Sequence, residues 1–281
     1  STIISVAFPA WLLGKDPSAK IMCISYSDEL AKEFSTACRK ILESDWYQVT
    51  FPKTKLNPNK KTESKFETTQ NGYRMAISIQ GSMTGRGGEW VIIDDPQKPD
   101  DVLSDSIRNR VNKIFGNTIL SRLNNKCEDK IVVVGQRLHV DDFYSHVQNF
   151  STWNNLLIPA IAQNDEKFEL LSGDILTRTK NSVINPSIES LEKLQEIEAG
   201  IGHYDFAAQY LQNPIPAKGN IINYNDFILY DILPVEENTK YYQSWDVAAK
   251  TGEKNDYSVC VTAAICNNIA YANISCYRAI I

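Results

Sequence analysis

Two adjacent carboxylates, Asp94 and Asp95, follow directly on a short apolar run at 90–93. The run is β-branched and uninterrupted, as in a strand that is buried on both faces of a parallel sheet. Such a strand delivers the residues after it to the carboxyl edge of the sheet, where open α/β folds bind ligands. A Walker B element has this pattern, in which Asp94 would hold Mg²⁺ on a nucleotide phosphate and Asp95 would polarise the attacking water. An acidic turn, for which Asp-Asp-Pro is also suited, is the alternative.

The chain opens with Ser1 and Thr2, which lead into an amphipathic helix pattern ending at Gly14. A phosphate-binding loop, G-x-x-x-x-G-K-[ST], also ends in a hydroxyl residue that ligates Mg²⁺ and opens a helix. Its glycines and lysine are missing here, and we expect that the chain starts just after them. Ser1 is the favoured Mg²⁺ ligand and Thr2 the alternative, while an ordinary helix N-cap is the competing interpretation.

A second polar strand end is predicted at Gln136 and Arg137, which follow the apolar run at 130–135. Parallel strands end at the same edge of a sheet, so these side chains are expected beside the two acids, where they would sense the γ-phosphate. The alternative for Arg137 is an ion pair with Asp141 or Asp142 in the cap of the following helix.

Glycines at 81, 85, 87 and 88 precede the acidic strand and permit close approach of the backbone to a ligand. Arg86 among them is a candidate for a contact with a phosphate. A tight connection between strands explains the glycines equally well.

The elements that must position these residues alternate between strand and helix patterns. Buried strands are predicted at 20–25, 90–93 and 130–135, and a strand of alternating pattern at 74–79. Helices are predicted at 28–43 and 100–123, a further strand at 155–158, and helices beginning at 185 and at 204. This alternation predicts an α/β fold with a mainly parallel sheet. With the strand-end acids, it indicates a P-loop ATPase of the ASCE type over residues 1–213, and residues 214–240 are predicted to be a linker because a Pro, Lys and Gly run opens them.

Short strands replace this alternation beyond the linker, at 241–247, 257–265 and 269–277. Asp246 lies within the first of them, where a charge is not expected unless it is used or paired. A ribonuclease H-like nuclease needs such carboxylates to hold two divalent ions about 4 Å apart. Asp246 would be the shared metal ligand, and Asp256 a second acid or simply part of a turn. Residues 241–281 would then be the first strands of a nuclease domain.

The composition of the chain bears on whether it can bind DNA, zinc or a membrane. The 281 residues are 43% hydrophobic and 22% charged, with a net charge of −5, so contact with DNA would need a local basic patch. A lysine-rich segment at 51–65 is either that patch or a solvated loop. Six cysteines without a Cys-x-x-Cys pair favour a reduced, cytosolic protein over a zinc site. No apolar run reaches the roughly 20 residues that cross a bilayer, and the apolar opening lacks the basic leader of a signal peptide.

Taken together, these motifs resemble the large terminase subunit of tailed bacteriophages, in a prophage-type branch of that family. The matching segments occur in the expected order: Pro-Ala-Trp-Leu-Leu-Gly at 9–14, Ser-Tyr-Ser at 25–27, Gly-Ser-Met-Thr-Gly-Arg-Gly-Gly at 81–88, Ile-Ile-Asp-Asp-Pro at 92–96, Gly-Gln-Arg-Leu-His at 135–139, Phe-Ala-Ala-Gln-Tyr-Leu-Gln-Asn-Pro at 206–214, Trp-Asp at 245–246 and Asn-Asp-Tyr-Ser-Val at 255–259.

The resemblance implies an ATPase that drives double-stranded DNA into a prohead and a metal-dependent nuclease that cuts the concatemer. It implies ATP with Mg²⁺ as cofactors, with Mn²⁺ as an alternative at the nuclease site. The implied partners are DNA, a portal protein, a small terminase subunit and further copies of this chain in a ring; a membrane is not among them. The implied place is the bacterial host cytoplasm, on the prohead during packaging.

By residue, Asp94 matches the Walker B metal acid, Asp95 the position usually filled by Glu, Gln136 and Arg137 the coupling motif, and Asp246 the first nuclease carboxylate. Because the phosphate-binding glycines and lysine are absent and the nuclease has about three strands, we expect a fragment with little activity. The alternatives are a helicase-like or repair P-loop ATPase without a nuclease, and a non-catalytic prophage remnant.

Overall fold

The computed structural model describes residues 1–83, 85–150, 153–216, 238–246, 258–266 and 269–277. Contacts within the chain divide it into two compact units, Ser1–Asn220 and Ile221–Ile281. The first unit contains a six-stranded sheet and a separate two-stranded sheet, and the second contains a three-stranded sheet.

The six-stranded sheet of the first unit is mixed and mostly parallel, so the α/β class predicted from the sequence is confirmed. Its strands are β1 (Lys20–Ser25), β2 (Leu56–Lys61), β3 (Lys65–Thr68), β4 (Tyr73–Ser78), β5 (Trp90–Asp94) and β6 (Lys130–Val134). They lie in the order β2-β3-β4-β1-β5-β6. The four strands from β4 to β6 are parallel, whereas β2 and β3 continue the sheet in antiparallel pairing.

Helices cover both faces of this sheet. The helical elements of the first unit are a π-helical turn (Thr2–Ala7), α1 (Phe8–Lys15), α2 (Asp28–Glu43), α3 (Asp45–Thr50), α4 (Pro99–Val102), α5 (Asp105–Asn117), a 3₁₀ turn (Ile119–Arg122), α6 (Phe143–Gln148), α7 (Leu191–Ile201) and α8 (His203–Gln209). Alternate residues of a strand point to opposite faces. Ile21 and Cys23 of β1 therefore pack with residues of α1 and α2, and Met22 and Ile24 with residues of α5 and α6.

Three local predictions were wrong. The helix predicted at 100–123 is interrupted, since Ser104 is the N-cap of α5 and the 3₁₀ turn follows Thr118. The apolar segment 155–158 forms no strand, and a polar hairpin further along the chain, β7 (Glu166–Glu169) with β8 (Ile175–Arg178), was not predicted. The helix predicted from residue 185 begins at Leu191, because the Ser190 side chain accepts a hydrogen bond from the Lys193 N–H and caps it there.

The second unit is an antiparallel sheet in the order β11-β10-β9, formed by β9 (Lys240–Asp246), β10 (Ser258–Cys266) and β11 (Ile269–Tyr277). Asp246 is the last residue of β9 and pairs in register with Val259. Asp256 lies outside the described residues. In the part of the chain that the structure describes, every helix is too short or too polar to traverse a bilayer.

Candidate nucleotide site at the sheet edge

The buried carboxylate of Asp94 receives hydroxyl hydrogen bonds on both of its oxygens. Ser1 Oγ donates to Oδ1 over 3.2 Å, and Ser5 Oγ donates to Oδ2 over 2.6 Å. Asp94 is the last residue of β5 and 1% exposed, whereas Ser1 is exposed. The two serines share one side of the helix start because they are four residues apart. The structure thus brings Ser1 and Asp94 together at the carboxyl edge, with the Oδ1 side toward solvent and the Oδ2 side in the interior.

Asp95 turns the chain sharply at the same edge. Its backbone is left-handed, with a φ of 45°, which is uncommon outside glycine and found where the surroundings hold the residue in place. Here two backbone hydrogen bonds do so: Asp95 N–H donates to the Val134 carbonyl, and Tyr26 N–H donates to the Asp95 carbonyl. Burial and the neighbouring Asp94 charge raise the pKa of the Asp95 carboxyl, and the backbone N–H of Gln136 lowers it.

Tyr144 of α6 completes this edge. Its hydroxyl donates to the Val134 carbonyl over 3.0 Å. A Cβ at Gly135 would overlap with both Tyr144 Oη and Asp95 Oδ1, so these two side chains lie directly against the Gly135 backbone. Burial, followed by the charge of Asp95, raises the pKa of Tyr144 well above its ordinary value, which keeps it a neutral hydroxyl donor.

Arg137 faces the cap of α6 rather than Asp94. Its Nε donates to Asp142 Oδ2 over 2.8 Å and its Nη2 to Ser145 Oγ over 2.7 Å. The ion pair with Asp142, weighed as the alternative from the sequence, is therefore formed. The backbone N–H of Arg137 also donates to Gln212 Oε1, just after α8, over 3.1 Å. Gln136 meets the site through its backbone N–H beside Asp95.

Arg86 is not brought to this edge. It lies two residues before Gly88, which precedes β5, while Asp94 ends that strand. Its guanidinium contacts the sulfur of Met75, and the neighbouring Gly87 carbonyl accepts a hydrogen bond from Tyr73, the first residue of β4. Arg86 therefore lies toward the amino ends of the strands. In this arrangement Arg86 would not reach a phosphate that is bound at Asp94 of the same chain.

The residues at the edge suit a magnesium ion bound mainly through a nucleotide. Mg²⁺ takes oxygen ligands and in such sites is held by one or two protein oxygens, with the substrate phosphates and water supplying the rest. Ser1 Oγ and Asp94 Oδ1 are hard oxygens on the solvent side, and Asp95 is adjacent. Among the described residues, no three His, Cys, Asp or Glu side chains are grouped as a complete protein cage for a metal. Thr2 is exposed and begins the π-helical turn.

Two residues of this site were not found from the sequence. Ser5 is 1% exposed, and its spacing of four from Ser1 was the available indication. Tyr144 offered none, because only the folded chain brings α6 over Gly135. Comparison with models of known protein families and with curated proteins gives no match for this chain.

Proposed function

We propose that this chain is the ATPase and nuclease of a DNA-packaging motor of the terminase large subunit type. The observation that carries the proposal is the hydrogen-bonded set of Ser1, Asp94 and Ser5 at the carboxyl edge of a parallel sheet. A hydroxyl at the start of a helix beside a strand-end acid is the arrangement that nucleotide sites with Mg²⁺ require. The order of motifs along the chain supports the terminase class within that group.

In this proposal Ser1 and Asp94 hold the metal, which neutralises charge on the nucleotide phosphates. Asp95, whose backbone is left-handed, would orient the attacking water. Tyr144 limits the space behind Asp95. Because Asp95 is one methylene shorter than the usual Glu, its reach toward the water is shorter as well.

The sheet has an open edge next to the candidate site. Among the described residues β6 pairs with β5 alone, and Ile131 to Val134 are half-buried. An unpaired row of backbone groups on such an apolar strand accepts a further strand readily.

The nuclease half of the proposal depends on Asp246. This residue ends β9 in an antiparallel sheet, and in the proposal it supplies the carboxylate that two divalent ions share. Asp256 remains a candidate second acid. Double-stranded DNA, a portal protein, a small subunit and further copies of the chain in a ring are the proposed partners, with the site of action on the prohead in the bacterial host.

The ATPase is tested by hydrolysis of ATP with Mg²⁺ by the full-length protein. Asp94→Ala should abolish hydrolysis, and Asp95→Ala should abolish hydrolysis while leaving binding of a fluorescent nucleotide intact. Asp95→Glu, which supplies the usual length, should keep or raise the rate. Asp100→Ala, a change to an exposed acid in α4, is the control. Full activity of the Asp94→Ala protein would overturn the assignment.

The nuclease is tested separately by cleavage of plasmid DNA with Mg²⁺ or Mn²⁺. Asp246→Ala should abolish cleavage without changing ATP hydrolysis. If ATP is hydrolysed and cleavage is absent, or unchanged in Asp246→Ala, the nuclease half is wrong and a packaging or helicase-like ATPase alone remains.

A further inference from the structure

Arg74 of β4 is the largest fully buried side chain among the described residues, with 0% exposure. It pairs in register with Ile21 of β1 and so faces the layer of α1 and α2. Its Nη2 donates to the Ser5 carbonyl over 3.1 Å, but its Nε and Nη1 are buried without a hydrogen-bond partner. Since a guanidinium stays charged and burial of an unpaired charge is costly, this residue is difficult to explain by stability alone.

Ser5 links this buried cation to the buried anion of the site. Its carbonyl accepts from Arg74, and its hydroxyl donates to Asp94 Oδ2 over 2.6 Å. β1 lies between β4 and β5, so the two charges flank it. Both charges act on the thiol of Cys23 on β1. Burial raises the pKa of this thiol, the Arg74 charge lowers it, and the Asp94 charge raises it.

The backbone at Ser5 is unusual as well. Thr2–Ala7 form a π-helical turn before α1, and the Ser5 N–H donates to the Ser1 carbonyl over 2.7 Å. Single π-helical turns are rare and concentrate at functional sites. A helical carbonyl has a second lone pair, which Arg74 takes up here. The guanidinium thereby holds both Ser5 and, one turn before it, Ser1 in the positions from which their hydroxyls reach Asp94.

We propose that Arg74 is a positioning residue for the Asp94 metal site and acts through Ser5. This inference rests on the proposed nucleotide site, and it adds a residue on the far side of the helix to the two serines that contact the carboxylate. Groups that orient a metal ligand change metal affinity by about 10- to 100-fold when they are removed. Loss of Arg74 should therefore weaken metal binding. It also removes the buried cation that Ser5 links to the buried Asp94 carboxylate, so metal affinity and stability must be measured separately.

The test is Mn²⁺ binding to the full 281-residue chain, followed by electron paramagnetic resonance in the presence and absence of ADP. Arg74→Met and Ser5→Ala should each weaken binding by about 10-fold or more. The Mn²⁺ affinity of the double variant should equal that of the single variant with the larger loss, since both substitutions break the same chain of contacts. Arg74→Lys, which keeps one donor, should recover part of the affinity.

Two matched controls separate this role from general effects of burial. Arg108→Met removes another buried arginine, one that contacts Val102 and Asp105 instead of Ser5. Ser35→Ala removes a buried serine hydroxyl that has no partner. Both should leave Mn²⁺ affinity within about 2-fold, and thermal unfolding of every variant separates a loss of stability from a loss of metal affinity.

Unchanged Mn²⁺ affinity in Arg74→Met, or additive losses in the double variant, would overturn the inference while leaving the proposed function in place. Hydrogen exchange at the amides of Thr2–Ala7 gives a second measure: it should speed up in Arg74→Met, and an unchanged rate also counts against the inference. Failure of the proposed function looks different, because Mn²⁺ binding would then be unaffected by Asp94→Ala in the otherwise unsubstituted chain.

Discussion

Asp94 is accommodated in the interior because hydroxyl groups donate to both of its oxygens. A buried carboxylate without such donors is costly. The sequence predicted the meeting of Ser1 and Asp94, since a helix start and a strand end at one edge of a sheet must converge. Ser5 and Arg74 were not predicted, because their contacts depend on a π-helical turn and on which face of β4 is covered. Neither property can be read from residue types alone.

At the residue scale, Gly135→Ala should destabilise the fold by about 2 kcal/mol. A Cβ there has no space, because Tyr144 Oη and Asp95 Oδ1 occupy it. The measurement is the free energy of unfolding in urea. Gly200→Ala is the matched control: nothing lies within 4 Å of its Cβ position in α7, so this change should be neutral or stabilising by up to about 1 kcal/mol. Equal effects of the two substitutions would contradict the packing described for Tyr144.

At the scale of helices and strands, the sequence predicted the buried strands better than the exposed ones. The strands β1, β5 and β6 carry apolar runs and β4 an alternating pattern, and the sequence located all four to within about one residue. The β7–β8 hairpin was missed because its residues are largely exposed and charged, so no periodicity marks it. The break between α4 and α5 was missed for the opposite reason, since apolar spacing continues across the Ser104 cap.

The start of α6 is the element most dependent on one side chain. Asp142 is fully buried, and its carboxylate accepts from Arg137 Nε and from the backbone N–H groups of Leu138 and Ser145. Asp142→Ala would leave these donors unpaired and should cost about 3 kcal/mol of unfolding free energy. Asp141→Ala, at the exposed neighbour, should change it by less than about 0.5 kcal/mol. Chemical denaturation of both variants checks the difference, and similar costs would show that the cap is not specific.

At the scale of the whole molecule, the lysine-rich segment at 51–65 bears on contact with DNA. The lysine-rich segment, a candidate DNA contact in the sequence, forms β2 and the start of β3, where Lys60 and Lys65 both pair with Glu67 and Lys61 pairs with Glu43. These exposed pairs contribute little stability but reduce the local positive charge. The structure therefore favours an exposed segment over a contact with DNA, but the segment forms strands rather than the predicted loop. Composition alone could not distinguish the two, because it does not show which acids pair with which lysines.

The acid stability of the protein should depend on two histidines near α6. Burial lowers the pKa of His146, whose Nε2 is enclosed without a partner, and burial followed by the Arg108 charge lowers the pKa of His139, whose Nδ1 accepts from the Asp141 N–H. The unfolded chain, with the ordinary histidine pKa of about 6.5, then binds more protons than the folded chain. Stability is thus full above that pH and falls as the pH decreases toward the folded values.

The measurement is urea denaturation at several pH values between about 7.5 and 5, a range above the ordinary glutamate pKa of 4.5 and so away from the ion pairs of Glu67. His146→Leu should make the decline in unfolding free energy shallower, because the imidazole that must gain a proton is gone. His139→Leu should do the same, and the double variant should be flatter than either. Substitutions that lower stability equally at every pH, with the slope intact, would show that these histidines matter for packing but do not govern the response to acid.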